Sequence, residues 1–412
     1  MRIVEASNRR AVDRLIATAA NDDPAFERRV RAIVAAVRTG GDRALERFAR
    51  RFDGADGPLE VTRDEIRAGA ARVDRAVRRA IGQAADNIAR VAFRQIPRHA
   101  DITVAPGVSV ELRVEPLARV GCYVPGGRFP LPSSLLMTAV PARVAGVREV
   151  IAVCPRPEPA VMAAAEEAGV TRLFRVGGAH AVAALAFGTR TVPRVDKIVG
   201  PGNRYVAAAK AIVARTCAID FYAGPTEIVV VAGGGRAEWI AADLVAQAEH
   251  DPDARAIFIT WNRPLASRVT KAVERQCRAR SIARQSLASH GVVVVARSAD
   301  DAVALANRFA PEHLVVDRES LIKRPVTAGA VFVGPYAAQA AGDYATGSNH
   351  VLPTAGTARS RGGLSAADFV RVMSVQRLTR AGLARLAETI LPLARAEGLQ
   401  AHAASIEKRL RH

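Results

Sequence analysis

A chain of 412 residues, half of them apolar, is long enough for two or three domains at roughly 100–200 residues each and can bury a large core. Its net charge of +19 comes almost wholly from arginines spread along helix-like segments, with no aromatic-interleaved block; that describes a solvated face rather than a nucleic-acid stripe and leaves the charge free to attract anionic ligands. No run of about 18 apolar residues suggests a membrane span, the start MRIVEASNRRAVDRL lacks the pattern of a secretory signal, and the scattered Cys122, Cys154, Cys217 and Cys277 argue against a disulfide scaffold and for a reducing, cytoplasmic setting.

Residues 1–118 read as a helical region. Apolar positions recur at helical spacing over 24–52, with a break at Gly40-Gly41, and again over 62–96, with Asp64 and Glu65 near the start. From residue 119 the texture changes to short β-rich runs alternating with Ala-rich helical runs. Strands are expected at 119–124, 149–153, 173–176, 197–199 and 227–232, and helices at 134–144, 159–168, 180–187 and 203–213. This spacing implies βαβ units and a mostly parallel, Rossmann-like sheet over 119–232. After Gly233-Gly234-Gly235, a candidate crossing point, the alternation restarts. Strands at 256–260, 292–295, 314–316 and 330–333, with helices at 237–249, 264–278 and 300–309, make a second α/β unit over 233–362, on which the N-terminal region partly packs. The remainder, 363–412, reads as a helical tail interrupted at Gly382 and Gly398, of a kind that packs on another subunit.

Four stretches carry groups able to do chemistry. In APEHLVV (310–316), Pro311 ends a helix and an apolar strand follows, so Glu312 and His313 sit at a junction between elements. A carboxylate beside an imidazole suits acid–base work near neutral pH; the local sequence is equally that of an ordinary surface dipeptide. In DLVAQAEHDPD (243–253), Gln247 and His250 lie three apart near a helix end, on one face, where both can reach one ion. A histidine with oxygen donors suits zinc or a similar ion; a solubilising helix end would look the same. In AGDYATGSNHVLPT (341–354), Asp343 could complete such a site and His350 could move a proton or touch substrate, unless the polar turn is held by its own backbone bonds. Taken alone, His402 in EGLQAH (397–402) is an ordinary tail histidine.

The glycine-rich pieces VPGG (124–127), VGGAHA (176–181), GPGNR (200–204) and AGPTE (223–227) fall largely where strands give way to helices, positions that let backbone approach a phosphate. None is a full G-x-G-x-x-G, and neither a G-x-S-x-G elbow nor a P-loop lysine motif is present.

Together these motifs resemble those of the histidinol dehydrogenase family. The resemblance rests on YVPGGRFPLPSSLLMTAVPARVAGV, VDKIVGPGNRYVAAAK, AGPTEIVVVA, DLVAQAEHDPDA, NRFAPEHLVV, AGDYATGSNHVLPT and EGLQAHAAS, in order from 123 to 405. It implies a zinc-dependent homodimer that oxidises L-histidinol to L-histidine with two NAD+ and one water, through a bound aldehyde, as the last step of histidine biosynthesis. It implies one Zn2+ per subunit held by Gln247, His250 and Asp343, with His402 reaching over from the other subunit. It makes His313 the acceptor of the alcohol proton and Glu312 the activator of water, with substrate contacts at Thr226, His313, His350, Glu397 and the zinc ligands. NAD+ contacts fall to Tyr123, His180 and Asn203. The chain departs from the family in having His180 where glutamine is usual, Thr226 where some members have serine, and Phe221-Tyr222 before the AGPTE stretch, the last expected to affect packing alone. Two alternatives make different predictions: a sister dehydrogenase of another small amino- or sulfo-alcohol, and a basic nucleic-acid-binding protein with no metal dependence.

Overall fold

The computed structural model describes residues 1–17, 23–126, 130–222 and 224–411. Gly127 of the first glycine-rich piece and Ala223 of the last lie outside the described residues.

The N-terminal region holds β1 (Arg2–Glu5), α1 (Arg9–Ile16), α2 (Pro24–Phe48), β2 (Glu60–Val61), α3 (Arg63–Ala71), α4 (Arg75–Gln95), β3 (Ala100–Ala105) and β4 (Val108–Pro116). Asp23 caps α2 ahead of Pro24, and the expected break appears as a kink at Gly41. The 62–96 stretch is two helices. A capping box between Thr62 and Glu65 starts α3, and Asp74 starts α4 afresh. The region is not helical throughout. Its four strands join three different sheets, and the alternation VSVELRVEP of β4 is a strand pattern that the helical expectation passed over.

Next come β5 (Arg119–Tyr123), α5 (Pro132–Val144), β6 (Glu149–Val153), α6 (Pro159–Glu167), β7 (Arg172–Phe174), α7 (Gly178–Phe187), β8 (Lys197–Val199), α8 (Arg204–Val213) and β9 (Ala218–Ile219). They form a sheet of order β2-β7-β6-β5-β8-β9, parallel except where β2 pairs antiparallel with β7. The direction of winding reverses between β5 and β8, the switch point at whose carboxyl ends such sheets open a crevice. Helices α5 and α7 are buried almost all round, so their runs are apolar without a polar face.

The second sheet contains β10 (Glu227–Val231), β11 (Arg255–Thr260), β12 (Val292–Val295), β13 (His313–Val316) and β14 (Ala330–Val333), with β1 at its edge, in the order β1-β12-β11-β10-β13-β14. All its pairings are parallel. Between them run α9 (Ala237–Ala248), α10 (Arg263–Gln276), α11 (Ile282–His290), α12 (Ala299–Phe309) and, after β14, the short α13 (Gln339–Tyr344). This corrects the expected boundary. The 227–232 strand belongs to the second unit, the chain crosses between units before it, and Gly233-Gly234-Gly235 is an internal turn of the second unit whose Gly233 and Gly234 N–H groups are taken by Asp317 at 2.9 and 3.2 Å.

The tail is also not purely helical. β15 (Val370–Leu378) pairs antiparallel with β4, which pairs with β3, in a third sheet; α14 (Arg380–Ala396) and α15 (Gln400–Leu410) follow as a hairpin. Gly382 lies in the first turn of α14 and does not interrupt it, whereas Gly398 does separate the two helices. Among the described residues no helix is long and apolar enough to cross a membrane.

One buried ion pair fixes the loop after β8. Lys210 and Asp220, both nearly inaccessible, are paired. Lys210 Nζ donates to Gly200 O at 3.0 Å, and Asp220 Oδ2 accepts from Gly200 N at 2.8 Å. Gly200 has φ +114, and a Cβ there would meet Tyr123 O at 2.3 Å, so only glycine lets the loop lie this close to β5. Lys210→Met leaves the Asp220 carboxylate buried without its partner and should cost about 3–5 kcal/mol, read as a lower urea midpoint. A loss under about 1 kcal/mol would show that the pair does not hold the loop.

Candidate functional site

The starts of the parallel strands β10 and β13 lie side by side, Ile228 opposite His313. The candidate residues of the second unit therefore gather at the amino ends of its strands, not at the carboxyl ends where parallel sheets usually place functional groups. Helix α9 returns from the far edge and brings Gln247 and His250 to this end.

Glu312 stands just before β13, buried. Its Oε2 accepts the Thr226 hydroxyl at 2.5 Å and the Glu227 N–H at 2.8 Å. Thr226 Oγ1 in turn accepts Gln247 Nε2 at 2.5 Å. This relay orients the Gln247 amide: its NH2 is spent on Thr226, and its Oε1, on a residue with 0% exposure, has no partner among the described residues. Burial pushes the Glu312 carboxyl up to about 7, with the Thr226 and Glu227 bonds opposing and the charge of Asp343 adding.

His313 is buried beside Phe332. Its Nδ1 lies 3.2 Å from the Glu227 carbonyl oxygen and its Nε2 3.2 Å from Gln339 Nε2. Burial lowers its pKa and favours the neutral imidazole. Gln339 Nε2 also donates to Asp343 Oδ2 at 2.9 Å. His350 Nδ1 lies 3.0 Å from the Asp343 carbonyl oxygen; burial lowers its pKa too, and His250, His313 and Asp343 are all near enough to act on its charge.

The loop carrying Asp343 and His350 is anchored from outside the second unit. Asn349 Nδ2 donates to Met137 O of α5 at 2.6 Å, and Asn87 Nδ2 of α4 donates to Ala345 O at 2.7 Å. Farther along, Gly224 N donates to Thr354 Oγ1 at 2.5 Å.

Thr226, Gln247, His250, Glu312, His313, Asp343 and His350 are thus brought to one end of the second sheet. Glu397 and His402 are not: both are exposed, at the turn from α14 into α15, and make no hydrogen bond to these residues. Among the described residues no three His, Cys, Asp or Glu side chains converge as a metal cluster within the chain. Gln247 Oε1, His250 and Asp343 are nonetheless an N/O donor set suited to zinc, and the orphaned amide oxygen is the sort of buried acceptor that a cation satisfies.

Sequence reasoning missed two residues here. Glu227, buried, is bonded through its Oε1 to Ala355 N at 3.1 Å and through its Oε2 to Arg255 at 3.3 Å, and burial pushes it up to about 7. The signal was a lone acid opening an otherwise apolar strand, EIVVV. Gln339, 1% exposed, lies one helical turn before Asp343, a spacing that puts both on one face.

The expected cofactor residues lie at the carboxyl edge of the first sheet. The Tyr123 hydroxyl accepts Gly178 N–H at 2.9 Å, and Asn203 Oδ1 caps α8 through Tyr205 N and Val206 N at 3.0 and 3.3 Å. His180, 1% exposed, is bound through Nε2 to Asp53 Oδ2 at 2.7 Å, and Asp53 also accepts Gly177 N–H at 2.9 Å. The histidine at this position thus pairs with a carboxylate, beside the stacked rings of Phe48 and Phe52. Of the other departures, Phe221 packs in the core under Arg361, while Tyr222 is exposed.

The class that this fold and site define is an α/β protein with a doubly wound sheet and, at one end of a second parallel sheet, a cluster of buried carboxyl, imidazole and amide groups. The histidinol dehydrogenase family model matches residues 16–410. Curated histidinol dehydrogenases of Syntrophotalea carbinolica and Geobacter sulfurreducens are 48% and 47% identical, with 97% and 92% of this chain and 96% and 92% of theirs covered. A crystal structure of histidinol dehydrogenase from Elizabethkingia anophelis superposes with a TM-score of 0.94 at 33% identity, covering 100% of this chain and 98% of that one. The chain belongs to the histidinol dehydrogenase family.

The raised carboxyls have a stability consequence with a definite sign. The Glu312 carboxyl ionises near 4.5 when unperturbed and near 7 in the fold. Between those values the folded state binds more protons than the unfolded one, so stability falls as pH rises from 4.5 to 7. One such group accounts for up to about 3 kcal/mol. In metal-free protein Glu312→Gln should therefore flatten the decline measured by urea unfolding at several pH values; an unchanged slope would refute the shift at Glu312.

Proposed function

We propose that the chain oxidises L-histidinol to L-histidine in two steps, with two NAD+ and one water consumed and L-histidinal held between them. The observation that carries this reading is the Gln247–Thr226–Glu312 relay, which leaves a buried amide oxygen without a partner among the described residues, at the end of the sheet that also gathers His250, His313 and Asp343.

Gln247, His250 and Asp343 would hold one Zn2+, with His402 of the partner subunit as the fourth ligand. When bound, zinc supplies a charged anchor for the amino and imidazole nitrogens of the substrate, and NAD+ accepts hydride in each oxidation. The rest is done by side chains. His313, kept neutral by burial, takes the alcohol proton at Nε2 as the alcohol carbon loses hydride. Glu312 Oε1, which no described residue bonds, takes a proton from water as that water adds to the aldehyde carbon, and a group ionising near 7 suits this at neutral pH. Once His313 has released its first proton to solvent, the hydrate loses the second hydride as one hydroxyl proton goes to His313, and the acid so formed gives up its remaining proton to become the carboxylate. Thr226 and His350 line the substrate, and Glu397 accompanies His402 from the partner's tail.

The tail supports a shared site. Glu397 and His402 face solvent within one chain, and the third sheet and tail expose Val104, Val372, Leu378, Leu393 and Leu399, an apolar surface fit to be covered in a homodimer. For NAD+, the switch-point crevice between β5 and β8 supports binding. Tyr123, His180 and Asn203 border it, each already tied to protein, so they would meet the cofactor through their remaining polar atoms. The hydrogen-bonded His180 and Asp53 are what a bound dinucleotide would meet in place of the family's usual amide. A biosynthetic oxidoreductase of this kind, with reduced, mostly buried cysteines, fits the cytoplasm.

Purified protein given limiting L-histidinol and excess NAD+ should form two NADH per substrate; one or none would refute the reading. Chelator should abolish this activity and zinc restore it. Glu312→Gln should lower oxidation of supplied histidinal by about 10²-fold or more while leaving alcohol oxidation less affected; oxidation of histidinal at the normal rate would remove water activation from Glu312. Hybrid dimers of His250→Ala and His402→Ala chains should recover part of the activity that each variant lacks, and no recovery would argue against a shared site.

A further inference from the structure

Gln339 is buried among the groups that the proposed mechanism uses, yet no role falls to it there. Its amide orientation is fixed by chemistry. The Asp343 carboxylate only accepts, so the group 2.9 Å from Asp343 Oδ2 is the amide NH2. The same nitrogen lies 3.2 Å from His313 Nε2, which makes that ring nitrogen an acceptor. At the other side of the ring, Nδ1 is 3.2 Å from the Glu227 carbonyl oxygen, which also only accepts, so Nδ1 carries the proton. Two independent contacts thus select one tautomer, with the lone pair at Nε2. Gln339 itself is held by its place at the start of α13, where its backbone N–H faces the Asp243 carboxylate of α9. Its Oε1 is buried with no partner among the described residues.

We propose that Gln339 is a positioning residue: its NH2 group bridges His313 Nε2 and Asp343 Oδ2, holding the base in the tautomer that can accept a proton and the carboxylate in the orientation that binds the ion. The proposal rests on the reading of His313 as base and Asp343 as ligand. A substrate hydroxyl arriving at Nε2 replaces the amide contact there, so the lone pair is presented to substrate and shielded until then. The orphaned Oε1 is left as an acceptor for an N–H or O–H of the substrate.

The test uses Gln339→Met, which keeps volume and removes the amide, and Gln339→Glu, which keeps shape and polarity but replaces the donor by an acceptor. Imidazole 15N signals of the full-length metal-free protein, assigned to His313 by comparison with His313→Gln, should show wild-type Nδ1 protonated and Nε2 bare. Gln339→Met should lose this single tautomer, and Gln339→Glu should draw the proton to Nε2. Zinc retention in chelator competition and kcat for histidinol should each fall by roughly 10–100-fold, with KM for NAD+ unchanged. The same tautomer, zinc retention and kcat in Gln339→Met would overturn the proposal; should that variant fail to fold, the same result in Gln339→Glu would do so. The spectrum and the chelator competition need no turnover. Wild-type protein inactive on histidinol would sink the functional reading alone, whereas active wild type with a mixed His313 tautomer would sink this one alone.

Discussion

Two carboxyl groups share one buried edge, and much of the site is arranged around that fact. Glu227 and Glu312 begin adjacent parallel strands, and each is raised by burial and by the charge of the other or of Asp343. Such a pair is costly to bury unless every polar atom has work. Here the Glu227 N–H bonds Glu312, the Glu227 carbonyl orients His313, and the Glu227 carboxyl holds the Ala355 backbone against Arg255. A backbone pairing between β10 and β13 thereby becomes a ruler for the acid–base pair. A slip of one residue would turn His313 to the other face of the sheet.

The two main sheets share the same winding but use opposite edges. In the first, the switch point between β5 and β8 opens at the carboxyl edge, and the loop after β8 is drawn against β5 by the Lys210–Asp220 pair. In the second, the equivalent crevice is closed: Asp317 takes the Gly233 and Gly234 N–H groups, and Asn262 takes the Gly233 carbonyl at 2.9 Å. With a carboxylate already occupying those donors, a phosphate would meet like charge there. The proposed chemistry lies at the amino edge, where α9 ends and the 341–354 loop is pinned to α4 and α5. Duplicate architecture does not imply duplicate sites; which N–H groups are already satisfied decides where a ligand fits.

What was legible in the sequence follows from locality. Parallel strands buried in a sheet are short apolar runs between turns, so β6, β8 and β12 could be read with their ends in place, and the edge strand β14, though partly exposed, kept the same apolar run. The motif residues of the second unit are local as well, and the fold brings seven of them to one end. Strand partnership is not local. β1 pairs with β12 across nearly three hundred residues, and β15 pairs with β4 over a similar separation. Nothing in RIVE or VRVMSVQRL announces a partner so far away. Glu227 and Gln339 escaped notice for a related reason: their importance lies in which backbone and side-chain atoms they touch, and an acid at a strand start or an amide on a short helix has no spacing that declares it.

The tail shows the same limit from the other side. His402 has no feature of its own that marks it as a ligand, and within one chain it stays in solvent. The donors available from a single chain are an amide oxygen, an imidazole and a carboxylate, one short of the four that a closed zinc site takes. Under the proposed function, the exposed histidine on a helical hairpin, beside a three-stranded sheet with apolar side chains in water, would be the fourth donor for a neighbour's site. On this reading dimer formation and metal binding are one equilibrium. A ligand that binds only the assembled site stabilises the assembly by its own binding free energy, so dilution should release zinc and zinc should hold the dimer. The exposed apolar face and the unfilled coordination position are then two aspects of one incomplete interface.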